Sequence, residues 1–302
     1  MAALASSRIL VTGVSGPIGD ALLPSLKACG FQVIRLVRGP TSGADQIGWD
    51  PAKPLAPESI SGFDSVIHLA GESVVGRWTV SKKAKIRDSR VLGTRNLAQS
   101  LAKAKDRPRV LITASAIGYY GDRADEVLRE QSIFGTGFLA EVCREWEAAN
   151  QPAASAGIRT VQIRIGVVLS ATGGALQKML PAFRLGLGGN IGSGRQWMSW
   201  IHVQDLVAAV HHILNSDLSQ GPVNMVAPKP VTNAEFTKTL ASVLSRPAVF
   251  PVPAFVAKLA FGQMAEEVLL AGQRVEPTKL IASGYPFHYS DLRKALEAVL
   301  KP

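Results

Sequence analysis

Apolar residues come in short unbroken runs, and an amphipathic stretch follows most of them. Such runs suit strands covered on both faces, whereas half-exposed strands would alternate. The pattern predicts strands over residues 9–11, 31–39, 65–70, 109–114 and 160–165. Between them lie a helix opening at Pro17, one over 82–102 with Ile86, Val91, Leu92, Leu97 and Leu101 as its apolar stripe, and one over 137–154. Strands alternating with helices predict a parallel sheet with helices on both faces. Pro24 falls inside the first helix, where a missing N–H should kink it. Beyond residue 166 the rhythm loosens. Glycines punctuate 169–195 around a helix at 175–183, and His202-Val203-Gln204-Asp205-Leu206 leads into a helix ending near 215. Residues 251–300 hold two helical patterns separated by Pro277, which reads as a small helical cap. The expected division is 1–166, its sheet completed by about 197–227, and a substrate region over 167–302.

The first strand runs into Thr12-Gly13-Val14-Ser15-Gly16-Pro17-Ile18-Gly19. Glycines let a backbone turn sharply and approach a pyrophosphate, and the next helix turn offers free N–H donors and a partial positive charge. Pro17 suits that first turn, where its missing N–H is no loss. The turn therefore predicts a dinucleotide site, against the alternative that its glycines serve a tight bend alone. An NAD site usually places an acid about 20 residues further on, to hold the ribose 2′-hydroxyl. No acid occurs between Asp20 and Asp45; Arg38 leaves the second strand at that point, with Arg35 three residues earlier. A guanidinium there suits a 2′-phosphate and predicts NADP(H). The alternative is a solvated arginine at a strand end.

Of the 302 residues, 47% are hydrophobic and 19% charged, a globular and not a disordered balance. The best candidate for a membrane span, 251–272, is broken by Lys258, Glu266 and Glu267. The first residues show no basic leader with an apolar centre, so a cytoplasmic protein without a membrane partner is expected. Cys29 and Cys143 lie in apolar helical patterns and read as reduced core residues. His68, His202, His211, His212 and His288 form no ligand motif, so no metal is expected. The net charge of +10 raises nucleic-acid binding, but only Ser81-Lys82-Lys83-Ala84-Lys85-Ile86-Arg87 is a cluster. On a helix that run reads as a solvated face, so no nucleic-acid partner is expected.

Three motifs, the Thr12–Gly19 turn, His68-Leu69-Ala70-Gly71 and Gly93-Thr94-Arg95-Asn96-Leu97, resemble the extended short-chain dehydrogenase/reductase superfamily. Further segments narrow the likeness to its atypical epimerase-like family, also called the sugar nucleotide epimerase-like or cell-division-inhibitor-like group. They include Arg77-Trp78-Thr79, Gly118-Tyr119-Tyr120-Gly121, Trp146-Glu147-Ala148-Ala149 and Trp200-Ile201-His202. The resemblance covers nearly the whole chain. It implies an α/β fold, a Rossmann-type doubly wound parallel sheet with a small, mainly helical C-terminal substrate region. It also implies NADP(H) binding, with Leu69, Ala70, Gly71 and Glu72 beside the cofactor, and a small-molecule substrate on a monomer or homodimer.

Superfamily members use a Ser or Thr after strand four and a Tyr-x-x-x-Lys on the next helix. Ser115 fills the first place, but the helix reads Phe138-Leu139-Ala140-Glu141-Val142, without the tyrosine or the lysine. Tyr119, Tyr120 and Glu141 are the candidates for the missing proton shuttle, and each has a packing or solvent-facing alternative. Arg164, inside a strand, needs either a carboxylate or a bound anion and is counted with the cofactor residues. Trp78 is either a pocket wall or core, and His202 with Asp205 reads as a structural hydrogen bond at a helix start, against the alternative of catalysis. The expectation is an NADP(H)-dependent oxidoreductase or epimerase-like enzyme, with a non-catalytic NADP(H)-binding redox sensor as its rival.

Overall fold

A computed structural model describes residues 7–216 and 220–300. Its centre is a seven-stranded sheet built from β1 (Arg8–Thr12), β2 (Gln32–Arg38), β3 (Gln46–Trp49), β4 (Ser65–His68), β5 (Val110–Ala116), β6 (Arg159–Ile165) and β7 (Gly221–Met225). The order is β7-β6-β5-β4-β1-β2-β3, with every neighbouring pair parallel. β1 lies between β2 and β4, so the chain reverses its direction of progress across the sheet there. Crevices at such switch points, at the carboxyl ends of the strands, are where open α/β sheets bind ligands. In register, Thr12 stands opposite Leu36 on one side and His68 on the other, bringing three predicted motifs to one edge.

Alternation along the strands divides the core. Ile9 and Val11 of β1 join Ile67, Ile112 and Ile163 beneath α1 (Pro17–Ala28) and α5 (Val203–Asn215), while Leu10 joins Val66 and Leu111 beneath α2 (Val80–Lys103). Both faces are dry, which is why the strands read as unbroken apolar runs. A second core, including Leu176, Trp200, Phe236, Leu240 and Leu296, binds α4 (Gly174–Arg184), α6 (Asn233–Leu244) and α8 (Leu292–Leu300) into the helical C-terminal region.

Several local expectations are corrected. The edge strand β3 was not foreseen, because Gln46–Trp49 carries no apolar run. The helix expected over 137–154 is two, α3 (Phe138–Ala148) and a short one at Gln151–Ser155, since Pro152 has no N–H to continue the first. Leu92 is exposed on α2, whose buried face uses Gly93, Thr94 and Ala98 instead. α1 is one continuous element through Pro24, whose exposed position leaves the freed carbonyl of the exposed Asp20 open to solvent. Cys143 is buried, but Cys29 is exposed at the end of α1. The C-terminal segment holds more than two helices: α7 (Ala254–Phe261), a π-type turn at Ala265–Leu269, a short helix at Thr278–Ala282, then α8.

Candidate cofactor cleft and its polar network

The three glycines after β1 do different work. Gly13 has φ +73°, and a Cβ there would lie 2.6 Å from the Leu69 carbonyl carbon. At Gly19 a Cβ would lie 2.5 Å from Gly13 O, so close packing of the helix on the turn requires glycine. Gly16 has an ordinary φ of −86°, and its Cβ would meet nothing nearer than Gly13 O at 3.5 Å. The protein's own packing does not demand glycine there. Gly16 is also the N-cap of α1 and gives no side-chain cap, while Pro17 opens the helix. A bare backbone at an uncapped helix start fits a phosphate group.

Thr12 ties this turn to the next. Its Oγ1 accepts from the N–H groups of Leu69 and Ala70, each at 3.2 Å, and shares a hydrogen bond with Nδ1 of His68 at 2.7 Å. His68 is fully buried, and burial pulls its pKa down to about 4, so it stays neutral. Arg90 then lies against Gly71, where a Cβ would be 3.2 Å from the guanidinium carbon, and donates to Glu72 O at 2.8 Å. The Glu72 carboxylate pairs with Lys82 at 2.6 Å; that hydrogen bond holds its pKa below the usual range. Arg38, exposed at the end of β2, has no side-chain hydrogen bond or ion pair among the described residues. Arg35 is engaged by Asp45 at 2.8 Å. Ser15 is exposed on the turn, and Ile18 packs on the core beneath it.

At the ends of β5 and β6 lies a separate buried network. Arg164, 2% exposed, grips Glu147 of α3 with Nε and Nη2, each at 2.8 Å. Its Nη1 donates to the Tyr120 hydroxyl at 2.9 Å and to Glu130 O at 3.1 Å. Of the two partners the sequence left open, the carboxylate is present. Burial alone would lower the arginine's pKa, but the hydrogen bond and charge of Glu147 outweigh it and raise the net value. Ser115 donates to Glu147 Oε1 at 2.7 Å. Tyr120 is fully buried, donates to Asn224 Oδ1 at 2.7 Å, and has its pKa pushed up to about 12 by burial. Arg164 and Tyr120 therefore lie inside the protein, held by its own groups. Tyr119 is half-buried, with the Arg164 guanidinium 3.5 Å from its ring centroid; its hydroxyl has no hydrogen bond among the described residues.

Glu141 is exposed on α3, while Val142 is buried. Phe138 packs edge-on against the buried Trp78, so Trp78 is core. The first N–H groups of α3, at Phe138 and Leu139, donate to the Glu267 carboxylate at 3.0 and 2.8 Å. Nothing in the sequence signalled Glu267, which is 128 residues from Leu139. Glu147 lay within a segment that carried the family resemblance, but its partner could not be read there. His202 caps α5 by accepting from the Gln204 N–H at 3.1 Å. Among the described residues no group of His, Cys, Asp or Glu is placed to hold a metal ion, and no helix is long and apolar enough to cross a membrane.

Comparison with known proteins places these features in context. Residues 9–226 match the NAD dependent epimerase/dehydratase family, and residues 252–299 match a domain of unknown function. The chain is 40% identical over 295 residues to an epimerase family protein of Mycobacterium tuberculosis, covering 97% of each chain. It is 37% identical over 298 residues to the epimerase family protein SDR39U1 of Homo sapiens, covering 97% of this chain and 99% of the human one. The crystal structure of human SDR39U1 (isoform 2) with NADPH superimposes with a TM-score of 0.90 at 36% identity, over 97% of this chain and 99% of that one.

Proposed function

The chain belongs to the NAD dependent epimerase/dehydratase family, and from that premise we propose that it is an NADP(H)-binding oxidoreductase or epimerase-like enzyme for a small carbonyl or alcohol substrate. The observation that carries the cofactor assignment is Gly16, whose missing side chain leaves room that the protein does not itself fill. The uncapped start of α1 supplies donors for a pyrophosphate, and Thr12 fixes the turn of Leu69, Ala70, Gly71 and Glu72 beside it. Arg38, without a hydrogen bond or ion pair among the described residues, can pair with a 2′-phosphate; no acid occurs between Asp20 and Asp45, and Glu72, which feels the charge of Arg38, is paired with Lys82. A relative of high likeness was crystallised with NADPH. We assign residues 1–166 with about 197–227 to the cofactor and 167–302 to the substrate.

When bound, the nicotinamide would supply a hydride donor or acceptor. The proton falls to the chain. Tyr119 has a hydroxyl without a hydrogen bond among the described residues and a guanidinium beneath its ring, and is our candidate acid/base. Ser115 keeps lone pairs with which to accept a hydrogen bond, but its single proton is given to Glu147. Glu141 stands exposed on α3. Phe138 and Val142, in place of the usual tyrosine and lysine, favour the second reading, a non-catalytic NADP(H)-binding sensor. Titration with NADPH and NADH, followed by a panel of carbonyls monitored by nicotinamide absorbance, tests both. Equal affinity for the two cofactors refutes the NADP(H) assignment; tight NADPH binding without turnover on any carbonyl favours the sensor.

A further inference from the structure

The cofactor cleft leaves unused an apolar surface on the C-terminal region. Phe255, Val256 and Leu259 recur at the spacing of one helical stripe along α7, and Val252 lies just before it. An ordinary surface helix buries such a stripe. Here it faces outward: Phe255 is 71% and Leu259 75% exposed, and only Ala257 of α7 is buried. The surface continues through Val249 and Phe250, and a backbone bridge between Leu187 and Ala248 adds Leu185 and Leu187, all exposed. Continuous exposed apolar surface of this kind marks an interaction site.

The segments that carry this surface hold charge of one sign. Residues 184–189 and 246–262 include Arg184, Arg246 and Lys258 but no Asp or Glu. Arg77 donates to Leu259 O at 3.2 Å and so joins the end of α7 to the start of α2, where Val80 is 88% exposed and Lys85 is exposed. Two acids of the adjoining segments are engaged: Glu266 pairs with Lys258 at 3.0 Å and Glu72 with Lys82.

We propose that this face docks on an anionic lipid bilayer, with Phe255, Leu259 and Phe250 entering the acyl boundary and Arg77, Arg184 and Arg246 meeting headgroup phosphates. Exposed aromatic and aliphatic side chains beside cations suit a surface that lies on a membrane without crossing it. The absence of a spanning helix in the described residues is no obstacle. A second copy of the chain is a poorer occupant, since a two-fold contact through this face would bring Arg77, Arg184 and Arg246 of both copies into one interface.

Vesicle co-sedimentation of the full chain tests this, with phosphatidylcholine alone and with phosphatidylcholine mixed with phosphatidylserine. Binding is expected only to the mixture and should weaken with added salt. Phe255→Ser and Leu259→Ser should each reduce partitioning about tenfold, and Arg246→Ala roughly fivefold, with unchanged melting temperatures because these side chains do not support the core. A Phe255→Trp variant gives a second readout: its emission should shift to the blue only with the anionic vesicles. No binding to the mixture, equal binding to both vesicle types, or unchanged binding by the serine variants overturns the proposal. So does concentration-dependent dimerisation that Phe255→Ser abolishes, which would assign the face to a second copy.

Discussion

Replacing Glu147 with alanine should be among the most damaging single changes in the cofactor half. The substitution leaves the Arg164 guanidinium, 2% exposed, without the two 2.8 Å bonds that neutralise it, and leaves Ser115 without its acceptor. Removing one partner of a buried ion pair costs about 3–5 kcal/mol, because the remaining charge stays desolvated. Ser115→Ala removes one bond to the same carboxylate and leaves the ion pair intact, so about 1.5–3 kcal/mol is expected. If the unpaired charge is the main cost, Glu147→Leu with Arg164→Met, which removes both charges and keeps apolar volume, should recover most of the loss. Urea unfolding of the four proteins reads these differences as shifts of midpoint at constant slope. A Glu147→Ala loss no larger than that of Ser115→Ala, or a double variant no more stable than Glu147→Ala, would refute the argument.

The remaining expectations address the cofactor cleft, the tyrosines and pH. Arg38→Ala should weaken NADPH binding by about 1.5–3 kcal/mol, the worth of a charge-assisted bond, and leave NADH binding unchanged; calorimetric titration decides, and a retained NADPH preference would remove Arg38 from the site. Gly16→Ala should keep the melting temperature and lose NADPH affinity. Gly19→Ala, with its Cβ 2.5 Å from Gly13 O, should lose about 1–3 kcal/mol of stability; similar behaviour of the two would contradict their different roles. Once a substrate is found, Tyr119→Phe should lower turnover by about 100-fold with NADPH affinity intact, while Tyr120→Phe, which removes a buried phenol, should mainly lower stability. His68 and His202 are both buried and depressed to about 4. The unfolded chain therefore binds protons that the folded chain refuses, and stability should fall as pH drops below about 6.5 toward 4. By pH 5 each histidine should cost about 2 kcal/mol. His202→Asn, which can still cap α5, should remove about half of that pH dependence; an unchanged slope would exclude His202 as a source.

Local sequence determined the parallel sheet and the glycine turn for physical reasons that act at short range. A strand dry on both faces must be apolar throughout, and a turn with φ +73° at Gly13 favours glycine, so both leave marks in consecutive residues. The same holds for the capping box of Thr232 and Glu235 and for the cap at His202. Tertiary structure alone decided which polar groups meet. Arg164 looked equally fit for an anion or a carboxylate until α3 brought Glu147 to it, and Tyr119 and Tyr120 looked alike until one was buried against Asn224 and the other left half-exposed on a guanidinium. The outward stripe of α7 was equally illegible, since its spacing predicts a buried face. A helical period fixes which side chains share a face, but only the packing of distant segments decides whether that face is covered.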